Sequence, residues 1–255
     1  MNCIIKPKCF VFDLDGTIIF NNKTLSESLE NEIIKLSEYG MVIFATARPF
    51  RDVKQVLPST LWSSHIVCMN GSVYYKNQST EDVKYIDHNI TKDIIYFLLS
   101  SNIPFVADND ECFYLTNHDL DFFKYTKSCG IKPVSDIEHM LKKGICKIQI
   151  FGKNHIHNFV NLEETIIHNY RDVDFFDLSS KRVDKADLIL KYNLRNYKVI
   201  AFGNDTNDFK ILKAADLSVC IGDNIKLKDV CDYVIDSFDT ERDIVSFIQA
   251  ELYEI

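Results

Sequence analysis

The chain has 255 residues, of which 46% are apolar, and a formal net charge of −8. This length suits one large or two small domains. The acidic balance, without a basic cluster, argues against nucleic acid or an anionic membrane as a partner. No apolar stretch is long enough to span a membrane, and the N-terminus runs directly into the first predicted strand. We therefore expect a cytoplasmic protein whose eight scattered cysteines are reduced.

Two carboxylates follow the first predicted strand, the apolar run Cys9–Phe12. At the end of a strand, Asp13 and Asp15 point to the same side, whereas Leu14 between them points into the core. Two like charges at this spacing repel each other unless a cation lies between them, and Mg²⁺ prefers such oxygen ligands. Gly16 lets the chain turn sharply away, which leaves space above the strand for a substrate.

The first third of the chain alternates strands and helices, which predicts a parallel sheet covered by helices. Thr24–Glu27 has the form of a capping box, and the helix that it predicts ends near Gly40. Asn70 and Gly71 predict a hairpin turn. The other predicted elements are strands at Met41–Ala45, Ile66–Met69 and Val73–Tyr75, and a helix that begins at Pro49.

A second block of strands and helices follows a polar segment, Lys76–Asp82, where we expect the chain to cross between domains. With about a hundred residues and its own apolar faces, the block has the size of a small domain. Its predicted strands are Phe105–Ala107, Cys112–Leu115, Cys146–Phe151 and Val173–Leu178, and its predicted helices are Thr91–Ser101, His118–Cys129 and Asn154–Asn169.

The last third returns to the alternation of the first. A helical pattern over Asp184–Leu194 contains Lys185, and the apolar run Val199–Phe202 leads into the polar segment Gly203–Asp208. The remaining predicted elements are helices at Phe209–Ala215, Ile225–Cys231 and Thr240–Leu252, and strands at Leu217–Ile221 and Tyr233–Ile235.

Asp13 with Asp15, Thr46, Lys185 and Gly203–Asp208 each lie at a predicted strand end or helix start. In this order they resemble the haloacid-dehalogenase-like phosphohydrolases, and within them the Cof-like branch with a large α/β cap. The resemblance covers essentially the whole chain. It implies an α/β fold: a Rossmann-like parallel sheet core formed by residues 1–77 and 182–255, with an α+β cap domain, residues 78–181, inserted into it.

The resemblance also implies a reaction. Asp13 would attack phosphorus and form an aspartyl-phosphate, which divides a difficult hydrolysis into two easier steps. Asp15 would protonate the leaving alcohol and then deprotonate the hydrolytic water, so we expect it to be buried and protonated part of the time. Mg²⁺, held by these two residues, would offset the repulsion between the anions.

Further residues are assigned by the same resemblance. Lys185 is preferred as the phosphate-binding cation over Lys181 and Arg182, because the residues after it fit the third family motif better. Arg48 and Asn70 would point towards the substrate. The phosphate contacts would come from the backbone of Leu14 and Ala47 and from the side chains of Thr46, Lys185 and Asn207.

One position departs from the family pattern. The usual fourth motif is Gly-Asp-x-x-Asn-Asp, and its first Asp binds the metal, but this chain has Asn204 there. An amide oxygen can bind Mg²⁺, although without a formal charge. Alternatively, Asp205 takes over as a ligand, directly or through water. Asp208 would lie behind the ligands and support them.

Three functions are compatible with this pattern. The first is a Mg²⁺-dependent phosphatase that acts on small phosphorylated metabolites, with sugar phosphates as the expected substrates, as a monomer or weak homodimer. A phosphomutase would need a basic cluster in the cap for a second phosphate, but this region has no arginine before Arg171. A non-catalytic phosphometabolite-binding protein is suggested only by Asn204, and the retained Asp13 and Asp15 argue against it.

Overall fold

The computed structural model describes residues 6–21, 23–129, 132–160, 162–170 and 173–253, so Arg171 lies outside the described residues. In chain order the strands are β1 (Lys8–Phe12), β2 (Gly40–Ala45), β3 (His65–Cys68), β4 (Val73–Lys76), β5 (Ser79–Val83), β6 (Phe105–Asp108), β7 (Phe113–Leu115), β8 (Lys147–Phe151), β9 (Thr165–Asn169), β10 (Phe175–Ser180), β11 (Lys198–Gly203), β12 (Leu217–Ile221) and β13 (Tyr233–Ile235). The α-helices are α1 (Glu27–Tyr39), α2 (Phe50–Val56), α3 (His88–Ser100), α4 (Asp121–Ser128), α5 (Ile137–Lys143), α6 (Leu188–Lys191), α7 (Phe209–Ala214), α8 (Ile225–Lys228) and α9 (Thr240–Tyr253).

The larger sheet has eight strands in the order β13-β12-β11-β1-β2-β3-β4-β5. Its strands run parallel from β13 to β3, and β4 and β5 are added antiparallel at one edge. The central strand β1 is buried on both faces, which explains its unbroken apolar run from Cys9 to Phe12. This architecture confirms the α/β fold with a parallel sheet core.

The smaller sheet has five antiparallel strands in the order β7-β6-β8-β10-β9, all of which come from the segment between β5 and residue 184. It has a hydrophobic core of its own, in which Ile94, Ile95 and Leu98 of α3 pack with Ile148 of β8 and Leu178 of β10. The chain therefore builds two separate sheets, each with its own core.

The register of the larger sheet brings three strand ends together. Phe12 at the end of β1 lies opposite Phe44 of β2 on one side and Phe202 of β11 on the other. The Phe12 and Phe202 rings stack with their centroids 4.6 Å apart. Because these strands are parallel, the residues that follow them all emerge at one edge, where ligands bind in open α/β sheets.

Two sequence predictions are wrong in the smaller-sheet region. The helix predicted over Asn154–Asn169 is instead a 3₁₀ helix, Lys153–Asn158, followed by β9. The β-branched run at Thr165–Ile167 favours a strand, and pairing with β10 supplies the partner that the sequence alone does not reveal. The helix predicted from His118 begins only at Asp121.

Other differences concern helix ends and edges. Ser26, not Thr24, caps α1, since its side chain accepts a hydrogen bond from the Leu29 backbone N–H. The predicted polar crossing at residues 76–82 contains β5, which pairs with β4 at the edge of the larger sheet. The sequence patterns also did not predict α5, which is preceded by the cap residue Asp136 and followed by Gly144, where φ is 100°.

The cysteines within the described part of the chain are free, as expected for reduced thiols; Cys3 lies outside it. Among the described residues, no helix combines the length and apolar character that crossing a membrane requires.

Candidate active site

Lys185 and two carboxylates form a buried cluster at the end of β1. The Lys185 Nζ lies 2.6 Å from Asp13 Oδ1 and 2.7 Å from Asp208 Oδ1. Lys185 and Asp208 are each 1% exposed, and Asp13 is 7% exposed. Burial and the nearby charge of Asp208 raise the pKa of Asp13 to about 7, although Lys185 acts in the opposite direction. The lysine therefore compensates only part of the negative charge that the fold has buried here.

Backbone contacts fix the positions of these three residues. The Asp13 N–H donates to the Phe202 carbonyl, which extends the pairing of β1 with β11 by one residue. Lys185 opens a 3₁₀ turn, Lys185–Asp187, which is capped by Asp184 and runs directly into α6, so the predicted helix over Asp184–Leu194 forms but ends early, at Lys191. Asp208 Oδ2 accepts hydrogen bonds from the backbone N–H groups of Asn204 and Asp205. The cluster is therefore built from three segments that are remote in sequence.

A threonine hydroxyl joins Asp13 to Asn204. Thr17 Oγ1 lies 3.1 Å from Asp13 Oδ2 and 3.3 Å from Asn204 Oδ1. Gly16 packs against the same amide, because a Cβ atom at Gly16 would lie only 2.1 Å from Asn204 Nδ2. By contrast, the Asp205 side chain caps the next turn by accepting from the Thr206 N–H. Asn204, rather than Asp205, therefore presents its side-chain oxygen beside Asp13.

The side-chain oxygens of Asp13 and Asn204 can be compared with the ligands that a metal would need. A carboxylate oxygen and an amide oxygen held by one hydroxyl suit a hard cation such as Mg²⁺. Among the described residues, no three or more His, Cys, Asp or Glu side chains cluster in a way that could hold a metal. This agrees with Asn204 taking a place that a carboxylate occupies in the family pattern. The residues fit Mg²⁺ in ligand chemistry, with one formal charge fewer.

The structure contradicts the expected burial of Asp15. Its side chain is 47% exposed, and Arg48 binds both carboxylate oxygens, through Nε at 2.7 Å and Nη2 at 2.6 Å. Leu14 is fully buried, as expected, and directs the two aspartates away from the core. The Gly16 turn has a φ of 76°, and it carries Asp15 out of the cluster to a position where an arginine can reach it. Such bidentate pairs are among the stronger side-chain contacts.

The predicted phosphate-binding loop, which contains Thr46 and Ala47, follows β2 as a compact turn. The buried Thr46 accepts a hydrogen bond at Oγ1 from the Arg48 N–H, which leaves its hydroxyl hydrogen able to donate to a ligand. The Thr46 carbonyl accepts from the Asn70 N–H, and the Arg48 carbonyl accepts from the Met69 N–H. Met69 and Asn70 both adopt positive φ, 51° and 57°. The loop that contains Ala47 is therefore fastened to the β3–β4 turn.

Asn70 and Asn207 meet beside the cluster. Asn207 Nδ2 donates to Asn70 Oδ1 at 3.0 Å. Both residues, with Lys185, line a cavity of about 170 Å³ whose opposite wall is strand β9 and Tyr170. The predicted residues of all four motifs therefore lie at one sheet edge, and Lys185 and Asn207 of the third and fourth motifs line the cavity between the two sheets.

His168 forms part of the β9 wall of this cavity. Its Nε2 lies 2.8 Å from Ser179 Oγ. Burial, together with the charges of Lys185 and Lys147, lowers the pKa of His168 to about 4. The imidazole is therefore neutral near pH 7 and adds no charge to the cavity.

Several residues at the site had no role in the sequence interpretation. Thr17 lies within the first motif, so its hydroxyl could have been considered from the sequence. Asn224 donates through Nδ2 to the Asn204 carbonyl, and its own buried Oδ1 has no hydrogen-bond partner among the described residues. Tyr170 and Lys147 approach from the smaller sheet. No local sequence pattern marks these last three residues.

Known proteins resemble this chain over most of its length. A curated relative, 5-amino-6-(5-phospho-D-ribitylamino)uracil phosphatase YitU of Bacillus subtilis, is 23% identical over 240 residues, which cover 86% of this chain and 88% of the relative. The solved structure of TM0651 from Thermotoga maritima superposes with a TM-score of 0.78 at 21% identity, covering 95% of this chain and 97% of that one. The subclass IIB sugar phosphatase BT4131 gives a TM-score of 0.76 at 18% identity, covering 96% of this chain and 98% of that one.

The structural matches show a shared fold, and the family assignment comes from the sequence. The family model for haloacid dehalogenase-like hydrolases matches residues 10–248. This match spans both sheets and every motif residue described above, and it confirms the resemblance read from the sequence. The chain therefore belongs to the haloacid dehalogenase-like hydrolases and is an enzyme of that family.

Proposed function

We propose that this hydrolase is a Mg²⁺-dependent phosphatase that acts on small phosphorylated metabolites through an aspartyl-phosphate on Asp13. The observation that carries the proposal is the buried cluster at the end of β1, in which Lys185 contacts Asp13 within a fold of this hydrolase family. The ammonium holds one oxygen of Asp13 and leaves the other beside Thr17, so that the carboxylate is fixed in orientation. Such orientation is what an attacking group needs.

In the first step, an Asp13 oxygen bonds to phosphorus while the bond from phosphorus to the leaving oxygen breaks. The Asp15 carboxyl group gives its proton to that leaving oxygen. In the second step, Asp15 takes a proton from water, whose oxygen attacks phosphorus and releases phosphate from Asp13. Because Arg48 now holds Asp15, the ion pair must open for either proton transfer. Lys185, Thr46 and the backbone at Ala47 would stabilise the transferring phosphoryl group.

Asp13 and Asn204 would hold the metal, whereas the Asp15 side chain, which was expected to be a ligand, is held outside the cluster by Arg48 and would serve the proton transfers. When bound, Mg²⁺ supplies positive charge that offsets the repulsion between the carboxylates and the phosphoryl group. Asp208 supports the site from behind, through the Asn204 backbone and Lys185. We propose that the smaller sheet and its helices act as the cap over this site, selecting the leaving group and excluding water.

The substrate proposal rests on the two named relatives. One is a sugar phosphatase and the other acts on a phosphorylated ribityl compound, so both have substrates with a hydroxylated leaving group. The cavity wall offers neutral hydrogen-bonding groups, among them His168 and Asn169, which suit hydroxyls. Phosphorylated sugars and sugar alcohols are therefore the substrates we propose.

The test is phosphate release from p-nitrophenyl phosphate and from a panel of sugar and sugar-alcohol phosphates, with and without Mg²⁺. Asp13→Asn should lower activity by about a thousandfold or more, because an amide cannot form the intermediate. Asp93→Asn, the same change on the exposed face of α3, is the matched control and should leave activity unchanged. A folded Asp13→Asn protein with more than a few per cent of parent activity would refute this mechanism.

A further inference from the structure

A directed chain of hydrogen bonds joins the two sheets above the buried cluster. Asn207 Nδ2 donates to Asn70 Oδ1 at 3.0 Å, and Asn70 Nδ2 donates to the Tyr170 hydroxyl oxygen at 3.1 Å. The Tyr170 hydroxyl donates to Asp177 Oδ2 at 2.9 Å. Every hydrogen bond of the chain points from the larger sheet towards Asp177 in the smaller sheet. Asn70 and Tyr170 each accept from the residue before them and donate to the residue after them. A chain of this kind has one consistent direction, which fixes the orientation of both amides.

The chain from Asn207 to Asp177 is the first arm of a larger network, and a second arm of hydrogen bonds runs from Asp177 back to the larger sheet. The Lys147 Nζ lies 3.3 Å from Asp177 Oδ2 and donates to the Ala47 carbonyl at 3.2 Å. Asp177 is therefore the point at which the two arms meet. The first arm ends on Asn207 and the second on the loop of Ala47, and both of these are proposed to contact the phosphoryl group.

The residues of these two arms are buried, so the loss of one of their hydrogen bonds is costly. Asp177 is 1% exposed, Asn70 2% and Lys147 4%. Inside a protein, a donor or acceptor that loses its partner costs more than the hydrogen bond itself contributed. Asp177 Oδ1 already has no hydrogen-bond partner among the described residues. The groups on either side of Asp177 therefore have little freedom to take other orientations.

We propose that Tyr170, Asp177 and Lys147 are positioning residues: they hold Asn70, Asn207 and the Ala47 loop in the geometry that binds the phosphoryl group. The inference rests on the proposed function and extends it to residues of the smaller sheet. The phosphate contacts are complete only when the smaller sheet is in place, because it provides the acceptor for Asn70 and the donor for the Ala47 carbonyl. Binding of phosphate and seating of the cap are thus coupled.

An alternative role for Tyr170 makes a different kinetic prediction. Tyr170 lines the cavity, so its hydroxyl could instead contact the leaving group. A leaving-group contact affects only substrates that carry a matching group. A positioning residue affects the contacts with the phosphoryl group, which all substrates share. Its loss should therefore lower kcat/KM by the same factor for every substrate, and it should lower the affinity for inorganic phosphate as well.

The experiment compares Tyr170→Phe with Tyr96→Phe. Tyr96 is an exposed residue of α3 whose hydroxyl donates to Glu138, so its replacement removes a hydroxyl far from the cavity. Values of kcat/KM are measured with p-nitrophenyl phosphate and with glucose 6-phosphate, and the affinity for inorganic phosphate is measured by calorimetry. We expect Tyr170→Phe to lower all three by a similar factor of about 5 to 10, the effect of one buried hydrogen bond. Tyr96→Phe should change none of them.

Asp177→Asn is the second variant. It keeps an acceptor for the Tyr170 hydroxyl but removes the charge that faces Lys147, and it should lower the same three quantities together. A loss confined to glucose 6-phosphate, with unchanged phosphate affinity, would overturn the proposal and assign Tyr170 to the leaving group. Unchanged values for both variants would overturn it as well.

Failure of the proposed function has a separate signature. If the parent chain released phosphate from neither substrate, the phosphatase proposal would fail, but calorimetry with inorganic phosphate would still decide the positioning role. Weaker phosphate binding by Tyr170→Phe would then support that role, whereas equal binding by parent and variant, or no binding by the parent, would overturn it. Thermal unfolding of each variant shows whether the fold itself has changed.

Discussion

Replacing Gly16 with alanine should damage the site through a single added methyl group. Gly16 has a φ of 76°, and a Cβ atom there would lie 2.1 Å from Asn204 Nδ2 and 3.1 Å from its Cγ. The first distance is shorter than any stable contact and the second is unusually tight, so Asn204 has to move. Because Asn204 presents its side-chain oxygen beside Asp13, the displacement acts directly on the proposed metal ligands.

The expected loss in the free energy of unfolding has two parts, one from the backbone conformation and one from the steric clash. A left-handed conformation costs a non-glycine residue about 1–2 kcal/mol. Overpacking a crowded position adds about 1–3 kcal/mol, and the upper part of that range applies if the neighbour cannot yield. Asn204 is held at three points: its side chain by Thr17, its backbone N–H by Asp208 and its carbonyl by Asn224. Gly16→Ala should therefore lower the free energy of unfolding by about 2–5 kcal/mol.

Gly222→Ala separates the two parts. Gly222 also has a positive φ, 84°, but no atom lies within 4 Å of the position that a Cβ would take. It should lose only the backbone contribution of about 1–2 kcal/mol and keep its activity. Urea unfolding gives the stability of both variants, and a Mg²⁺ titration of phosphatase activity reports on the ligands. Equal stability losses in the two variants, or an unchanged Mg²⁺ dependence in folded Gly16→Ala, would refute the reasoning.

Three further predictions follow from the same contacts. Lys185→Met leaves two buried carboxylates without a cation, so unfolding in urea should show a loss of about 3–5 kcal/mol at pH 8 and a smaller loss at pH 5, where one carboxylate is protonated. A loss that does not depend on pH would contradict this. Asn204→Asp adds a formal charge to the proposed ligands and should lower the Mg²⁺ concentration for half-maximal activity by about threefold to tenfold, whereas Asp205→Asn should have little effect. The reverse ranking in the Mg²⁺ titration would assign the ligand to Asp205. Because the pKa of His168 is about 4 in the folded protein and about 6.5 in an unfolded chain, the unfolded state binds more protons as the pH falls through this interval. The parent should therefore lose about 2 kcal/mol of stability from this residue between pH 8 and pH 5, a loss that His168→Gln removes, and parallel stability profiles for the two proteins would refute the assignment.

Local sequence patterns predicted the larger sheet well. Unbroken apolar runs such as Cys9–Phe12 and Val199–Phe202 are typical of strands buried on both faces, and they are the centre of that sheet. The order of motifs along the chain predicted which strand ends would bear polar residues. The sequence also identified Lys185 among three neighbouring cations: Lys185 is buried against Asp13, whereas Arg182 is exposed and pairs with Glu164.

The smaller-sheet region was predicted less well. The segment over residues 165–169 has apolar residues at spacings that a helix or a strand could use, and only its pairing with β10 makes it a strand. In the larger sheet, the edge strand β5 was also missed, because its residues are polar and largely exposed and so form no hydrophobic pattern. Local periodicity reports burial, and burial is weak or one-sided at the edge of a sheet.

Sequence alone determined the fold class and the family, and it singled out Lys185 and Asp208, which meet beside Asp13, since these depend on short apolar runs and on motifs with fixed internal spacing. The tertiary structure decided which groups meet. Arg48 takes Asp15 away from the cluster, and Thr17 joins Asp13 to Asn204. The contacts of Tyr170 with Asn70 and of Lys147 with Ala47 each bridge 100 residues of chain. Contacts at that separation depend on how two sheets with separate cores pack against each other, and no local pattern encodes that packing.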